Sequence, residues 1–366
     1  MSFPSFPSSR NLVRVLALAF ALAGAGHAAA APDPFPDAQP VTITADGATR
    51  RPIAPGVYEA AYSPATRALY VASAEATTGV QGGVIYKLDP DTLQTLGMTH
   101  TDEKNFGLAI DPEGKTLYIT NSLNSSVSAL DTASGRVEAR VAFKERSKDG
   151  SAYGPRKAIY DAQQKALYVG GVGDPGMIWL IDAQTLEVRA AIGNAGKWVT
   201  GLALDPEAHR LYAANGDGEV LVIDTRENRI LERWTPGDGK EWLLLNLALD
   251  KARHRLYVTD NSKQKAVVIF DTRTGKATDR IDTGDSLDIQ FDATRDRLYL
   301  SHRQQGTFSV VDAGSLRTIK TYALPQMPNS VLIGPDGKAV YVTIKTPPKK
   351  DYSASGAGSI ARIALP

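Results

Sequence analysis

From Val41 onward the chain alternates short apolar runs with turns rich in Gly, Asp, Asn and Pro, and the alternation repeats as a unit. Each unit holds an apolar run, a turn, a Leu-Tyr-Val-like run, a loop, and a third alternating run ending in Asp. The tyrosine of the second run falls at Tyr70, Tyr118, Tyr168, Tyr212, Tyr257, Tyr299 and Tyr341, at successive spacings of 48, 50, 44, 45, 42 and 42 residues. Runs of that length, bounded by turn residues and without a helical period between them, predict short β-strands. A repeat of this length is that of a four-stranded propeller blade. The expected fold is therefore all-β: a seven-bladed β-propeller of four-stranded blades.

The fifth unit serves as template. Leu245–Asp250 reads as the innermost strand, Leu256–Asp260 as the second and Ala266–Asp271 as the third, with a polar outer strand ending near Ile281. The seventh unit runs out of chain after Ser359–Ala364, whereas Val41–Thr44 stands before the first unit with no partner inside it. An N-terminal strand is therefore expected to complete the last blade as its outer strand, which removes two exposed sheet edges.

Residues 1–40 do not follow the pattern. Arg10 and Arg14 flank a short apolar run from Leu12 to Ala25, followed by small residues up to Ala31. This order reads as a secretory signal peptide, with cleavage near Ala28 or Ala30, and the run is shorter than the roughly 20 residues a spanning helix needs. The organisation expected is a signal peptide over residues 1–30, a short flexible segment over 31–40 and one propeller over 41–366, exported with no membrane span after cleavage.

Composition narrows the chemistry. The chain has no cysteine, which excludes disulfide, iron–sulfur and cysteine–zinc sites. Without Arg10 and Arg14 the 41 basic and 40 acidic residues become 39 and 40, so any attraction to a polyanion has to come from a local patch. Asp89, Asp131, Asp182, Asp224, Asp271 and Asp312 each follow a third strand, where a carboxylate accepts bonds from turn amides. Gly171-Val172-Gly173-Asp174-Pro175-Gly176 matches a dinucleotide pattern, yet a strand follows it where a phosphate-binding loop requires a helix. No catalytic constellation, cofactor or metal site is expected.

Candidate ligand residues cluster where inner strands begin and where the loops between second and third strands emerge, because those positions converge on the central channel. They are Phe106, Arg156, Lys157, Lys197, Trp198, Trp242, His302, Arg303, Asn329 and Lys345. Basic groups interleaved with aromatic rings suit a single-stranded nucleic acid or another anionic ligand: cations meet phosphates and rings stack on bases. The same aromatic residues also suit packing between blades. The loop from Lys345 to Gly358, rich in Lys, Pro, Ser and Gly, is a candidate lid.

Leu117-Tyr118-Ile119-Thr120-Asn121 and Leu256-Tyr257-Val258-Thr259-Asp260 carry the motif of the Tyr-Val-Thr-Asn repeat propellers. With Gly83–Pro90, Thr200–Asp205 and Pro328-Asn329-Ser330, the chain resembles the YncE-type branch of that group over essentially all of the expected mature sequence. The resemblance implies a periplasmic seven-bladed propeller and no established catalytic residues; a monomer is expected. Propellers of this group are associated with ligands that include single-stranded DNA. The function expected is a non-enzymatic binding protein engaging an anionic ligand such as single-stranded DNA, or a protein partner. A propeller enzyme, either a lactonase-like hydrolase or an oxidoreductase, is the alternative, because fold alone does not separate the two.

Overall fold

A computed structural model of the protein describes residues 41–74, 81–349 and 355–365, which form seven antiparallel sheets and no helix. The readings placed on residues 1–40 lie outside the described residues. Six sheets are four-stranded meanders in sequence order, and the seventh joins the two ends of the chain. In blade 5 the strands run Leu244–Asp250, Arg255–Asp260, Val267–Asp271 and Ala277–Ile281, close to the template expected from the sequence.

Ring closure takes a different form from the expected one. The fourth strand of blade 7 is Thr49–Pro52, paired with Ser359–Ala364, and Thr42–Ile43 adds a fifth strand outside it. Val41–Thr44 has the strand-like alternation, but Thr49–Pro52 lies closer to the first blade and buries Arg51, whose guanidinium donates to the Leu93 carbonyl at 2.8 Å. Thr42–Ile43 folds back over it through a turn at Asp46-Gly47 and leaves Ile43 77% exposed.

Apolar burial is distributed around the ring. Seven clusters fill the seven spaces between neighbouring blades. One of them, with Ile53, Val57, Leu69, Tyr86, Tyr341 and Ile360, seals blade 7 against blade 1. The repeat tyrosines reinforce the same joints, since the hydroxyls of Tyr70, Tyr118 and Tyr341 donate to the carbonyls of Thr132, Ala183 and Pro90 in the following blade at 2.8–2.9 Å. Burial raises the Tyr168 phenol to about 12, so its hydroxyl stays protonated at any ordinary pH. The turn aspartates act as the sequence suggests: Asp182, Asp224 and Asp271 each accept two backbone N–H bonds from the residues that follow.

The repeat also explains how side chains reach the axis. In blades 1, 3, 5 and 7 the inner strand is irregular at residues 58–59, 156–157, 245–246 and 329–330, where two residues fall outside the ladder register. Such bulges bend a strand and re-aim its side chains. In blades 2, 5, 6 and 7 a hydroxyl on the second strand ties the inner strand of its own blade to that of the next. Thr343 Oγ1 accepts from Ser330 N–H and donates to the Tyr58 carbonyl of the next blade at 2.6 Å. Thr120 relates Gly107 N–H to the Arg156 carbonyl, Thr259 relates Asn246 to Leu287, and Ser301 relates Asp288 to Asn329, in the same way. The threonine of the repeat motif is therefore a coupling between blades.

Candidate functional site at the channel mouth

Equivalent positions around the ring are found by stepping back along each inner strand from the residue paired with the repeat tyrosine. Three steps back stand Tyr58, Phe106, Arg156, Thr200, Leu245, Leu287 and Asn329. Two steps back stand Glu59, Gly107, Lys157, Gly201, Asn246, Asp288 and Ser330. Residues of both tiers, with Arg303, line a cavity of about 230 Å³ on the axis.

The upper tier centres on Tyr58. The Arg156 guanidinium sits 4.7 Å from its ring centroid, the Lys345 ammonium lies 3.7 Å from the same centroid, and the Phe106 ring meets it edge-on at 4.6 Å. Arg303 completes the group, donating to the Asn329 side-chain carbonyl, while Asn329 Nδ2 donates to the Tyr58 carbonyl at 2.8 Å. Among the described residues, Arg156, Arg303 and Lys345 form no ion pair, and Arg303 Nε is buried without a partner. The electrostatics follow. Burial pushes the Lys345 ammonium down to about 8, and the repulsion of both arginines adds to this against the pull of Tyr58. Burial and the neighbouring Arg156 lower Arg303 to about 10. Burial raises the Tyr58 phenol, but Lys345, Arg156 and Arg303 together outweigh it and the net shift is downward. Cations crowded without acidic partners around one ring form a site that favours negative charge.

Beneath them the lower tier is paired. Lys157 Nζ lies 3.3 Å from Glu59 Oε2; desolvation opposes its charge, yet Glu59 and Asp288 hold its pKa above the usual value. Burial lifts the Asp288 carboxyl to about 6 against the pull of Lys157. Asp288 also accepts from the backbone N–H groups of Ile289 and Val331, tying blade 6 to blade 7. Glu59 and Ser330 line a second cavity on the far side, whose walls are largely aliphatic, with Leu108, Ile110, Val331 and Ile333. The lower tier is thus the floor between two mouths.

The structure brings Phe106, Arg156, Arg303, Asn329 and Lys345 together and puts Lys157 directly below them. It places the other candidates apart. Lys197 and Trp198 share a loop entering blade 4, with the ammonium 5.1 Å from the indole centroid and the indole 44% exposed. Trp242 is nearly buried in the cluster between blades 4 and 5, and its indole N–H donates to Asp238. His302 is fully buried, its Nδ1 2.6 Å from the Asp285 carbonyl, and burial lowers its pKa. Tyr58, Glu59 and Asp288 are the functional positions that the sequence reading missed; the signal was present, since each occupies the repeat position of Phe106, Arg156 or Lys157. The lid candidate lies partly outside the described residues.

No family model matches the chain. Over 327 residues, covering 88% of this chain and 92% of theirs, it is 39% identical to the protein YncE of Salmonella typhimurium and 38% identical to YncE of Escherichia coli strain K12. It is also 26% identical to antigen Lp49 of Leptospira interrogans over 188 residues, 49% of this chain and 41% of that protein. Among solved structures, a chain of hydrazine synthase from Kuenenia stuttgartiensis superposes with a TM-score of 0.68 at 17% identity, covering 85% of this chain and 96% of that one, a likeness of fold alone.

Proposed function

The chain belongs to the YncE family, and from that premise we propose that it is an exported, non-enzymatic binding protein whose channel mouth engages an anionic ligand, single-stranded DNA first among the candidates. The observation that carries this reading is the group of Arg156, Arg303 and Lys345 around Tyr58, none of which forms an ion pair among the described residues. Phosphates suit such a group, and the exposed Trp198 offers a face on which a base stacks. A protein partner presenting an acidic segment fits the same charge. The leader over residues 1–30 delivers the mature propeller to the periplasm in this reading, and the N-terminal mass of protein recovered from periplasmic extract checks it.

Titration of a fluorescent oligonucleotide across a salt series tests the binding. Each neutralised phosphate contributes roughly −0.7 to the slope of log affinity against log salt for single strands. Replacing both Arg156 and Arg303 by Ala is expected to flatten the slope by about 1.4 if each meets one phosphate. Unchanged affinity and slope in the double variant would refute the reading.

An enzymatic reading rests on one observation, the Tyr58–Lys345 contact in which both groups have lowered pKa values, a combination found at catalytic bases. Turnover of lactone or ester substrates that disappears in Lys345→Met would favour it.

A further inference from the structure

The axial cavity and the aliphatic cavity on the other side are separate and share Glu59 and Ser330 in their walls, and this limits what part of a ligand can occupy the channel mouth. The cavity lined by Arg156 and Arg303 is also lined by Glu59 and Asp288, and Glu59 pairs with Lys157 at 3.3 Å. A polymer passing through the centre would have to displace the Glu59–Lys157 pair that stands between the two cavities. The deepest ligand group is therefore an end group.

The donors indicate which kind. Arg156, Arg303 and Lys345 come from blades 3, 6 and 7; Arg156 and Lys345 lie over the Tyr58 ring, and Arg303 lines the same cavity as Arg156. An internal phosphodiester offers a single negative charge and two free oxygens. A phosphomonoester carries about −1.5 to −2 at neutral pH and three acceptor oxygens, matching three converging cations. The two carboxylates of the floor, already engaged by Lys157, repel anions from going deeper and fix the phosphate at the level of Tyr58.

We propose that the axial cavity is a phosphomonoester site, formed by Arg156 and Arg303 in its wall with Lys345 beside them on Tyr58, that captures the terminal phosphate of a nucleic-acid strand or a free phosphomonoester. It deepens the anionic-ligand reading and rests on it. Asn329 is a positioning residue here, holding the Arg303 guanidinium toward the cavity and linking it to the Tyr58 backbone. Trp198, on its separate loop, acts on the rest of the strand and not on its end.

The experiment compares one oligothymidylate in three forms, with a 5′-phosphate, with a 3′-phosphate and with hydroxyl at both ends, by fluorescence anisotropy at fixed salt. Inorganic phosphate and thymidine monophosphate serve as competitors, and phosphorus NMR follows inorganic phosphate alone. The expected result is about tenfold tighter binding of at least one phosphorylated form, the equivalent of roughly one charge-assisted contact. Inorganic phosphate should erase that advantage without abolishing residual strand binding. Lys345→Gln, a milder change than altering Arg303, should cut the preference severalfold, whereas Trp198→Ala should weaken all three forms equally and keep the ratio.

Equal, salt-dependent affinity for all three forms overturns the phosphomonoester site and leaves the broader anionic reading standing. Binding of inorganic phosphate or thymidine monophosphate without any strand affinity supports the site and identifies the free compound as its source. Failure of every probe overturns both.

Discussion

Lys345 shows how a single buried cation gives the channel mouth a dependence on pH. Its ammonium titrates near 8 in the folded chain, displaced by desolvation, with Arg156 and Arg303 adding repulsion against the favourable Tyr58 ring. In the unfolded chain a lysine titrates near 10.4. Below about 8 it is charged in both states; between the two values the folded form has lost a proton that the unfolded form keeps. Anion affinity is therefore expected to fall as pH rises through 8, while stability rises with pH across the same window. Lys345→Met should remove both trends, as read by phosphate titration and by thermal melts between pH 7 and 10. A wild-type affinity that stays flat from pH 7 to 9 would contradict the placement of this charge. The residue was legible in the sequence as a basic loop position. Its special character was not, because that character comes from Tyr58, which lies nearly 290 positions away in the chain and is brought to it by ring closure.

At the scale of the element, the informative unit is the bulged inner strand with the hydroxyl that pins it. Thr120 Oγ1 accepts from Gly107 N–H at 2.7 Å and donates to the Arg156 carbonyl at 2.9 Å, so one side chain fixes its own blade and aims an arginine of the next. Thr120→Val keeps the shape and removes both bonds. It should cost about 1–3 kcal/mol, the usual penalty for leaving buried partners unsatisfied, measured by denaturant unfolding. It should also weaken anion binding, although Thr120 does not face the cavity. A variant that loses stability and keeps full affinity would separate the pin from the site. The strands themselves were readable from alternation and turn chemistry, as blade 5 demonstrates. The bulges were not, because nothing local at residues 58–59 and 156–157 encodes the bonds that hold them, which Thr343 and Thr120 of the preceding blades supply to the Tyr58 and Arg156 carbonyls. Trp242 makes the complementary point, since an aromatic residue entering an inner strand has the same sequence signature whether it packs between blades or lines the mouth.

The whole molecule depends on each blade meeting the next, with burial shared among seven joints instead of gathered in one centre. Thr49–Pro52 completes the joint between first and last blades, pairing with Ser359–Ala364 and placing Arg51 on the Leu93 carbonyl. Mature chain beginning after Pro52 is expected to expose the edge of Ser359–Ala364, lower the melting temperature by several degrees and associate with itself. Light scattering and calorimetry on the truncated protein read both effects; a monomer with unchanged melting would show that the ring holds without its clasp. Closure by the N-terminus was foreseeable from a count of strands, since the seventh unit lacked one. Which of two nearby segments supplies it was decided by geometry that alternation does not encode.

The paired layer of Glu59, Lys157 and Asp288 has a consequence for traffic. In the proposed site it makes a cup and not a tube: a phosphate entering beside Arg156 departs by the way it came. Occupancy and release then share one doorway, so a bound strand or metabolite shields the very opening through which a competitor would have to come, and exchange proceeds by departure first and replacement afterwards.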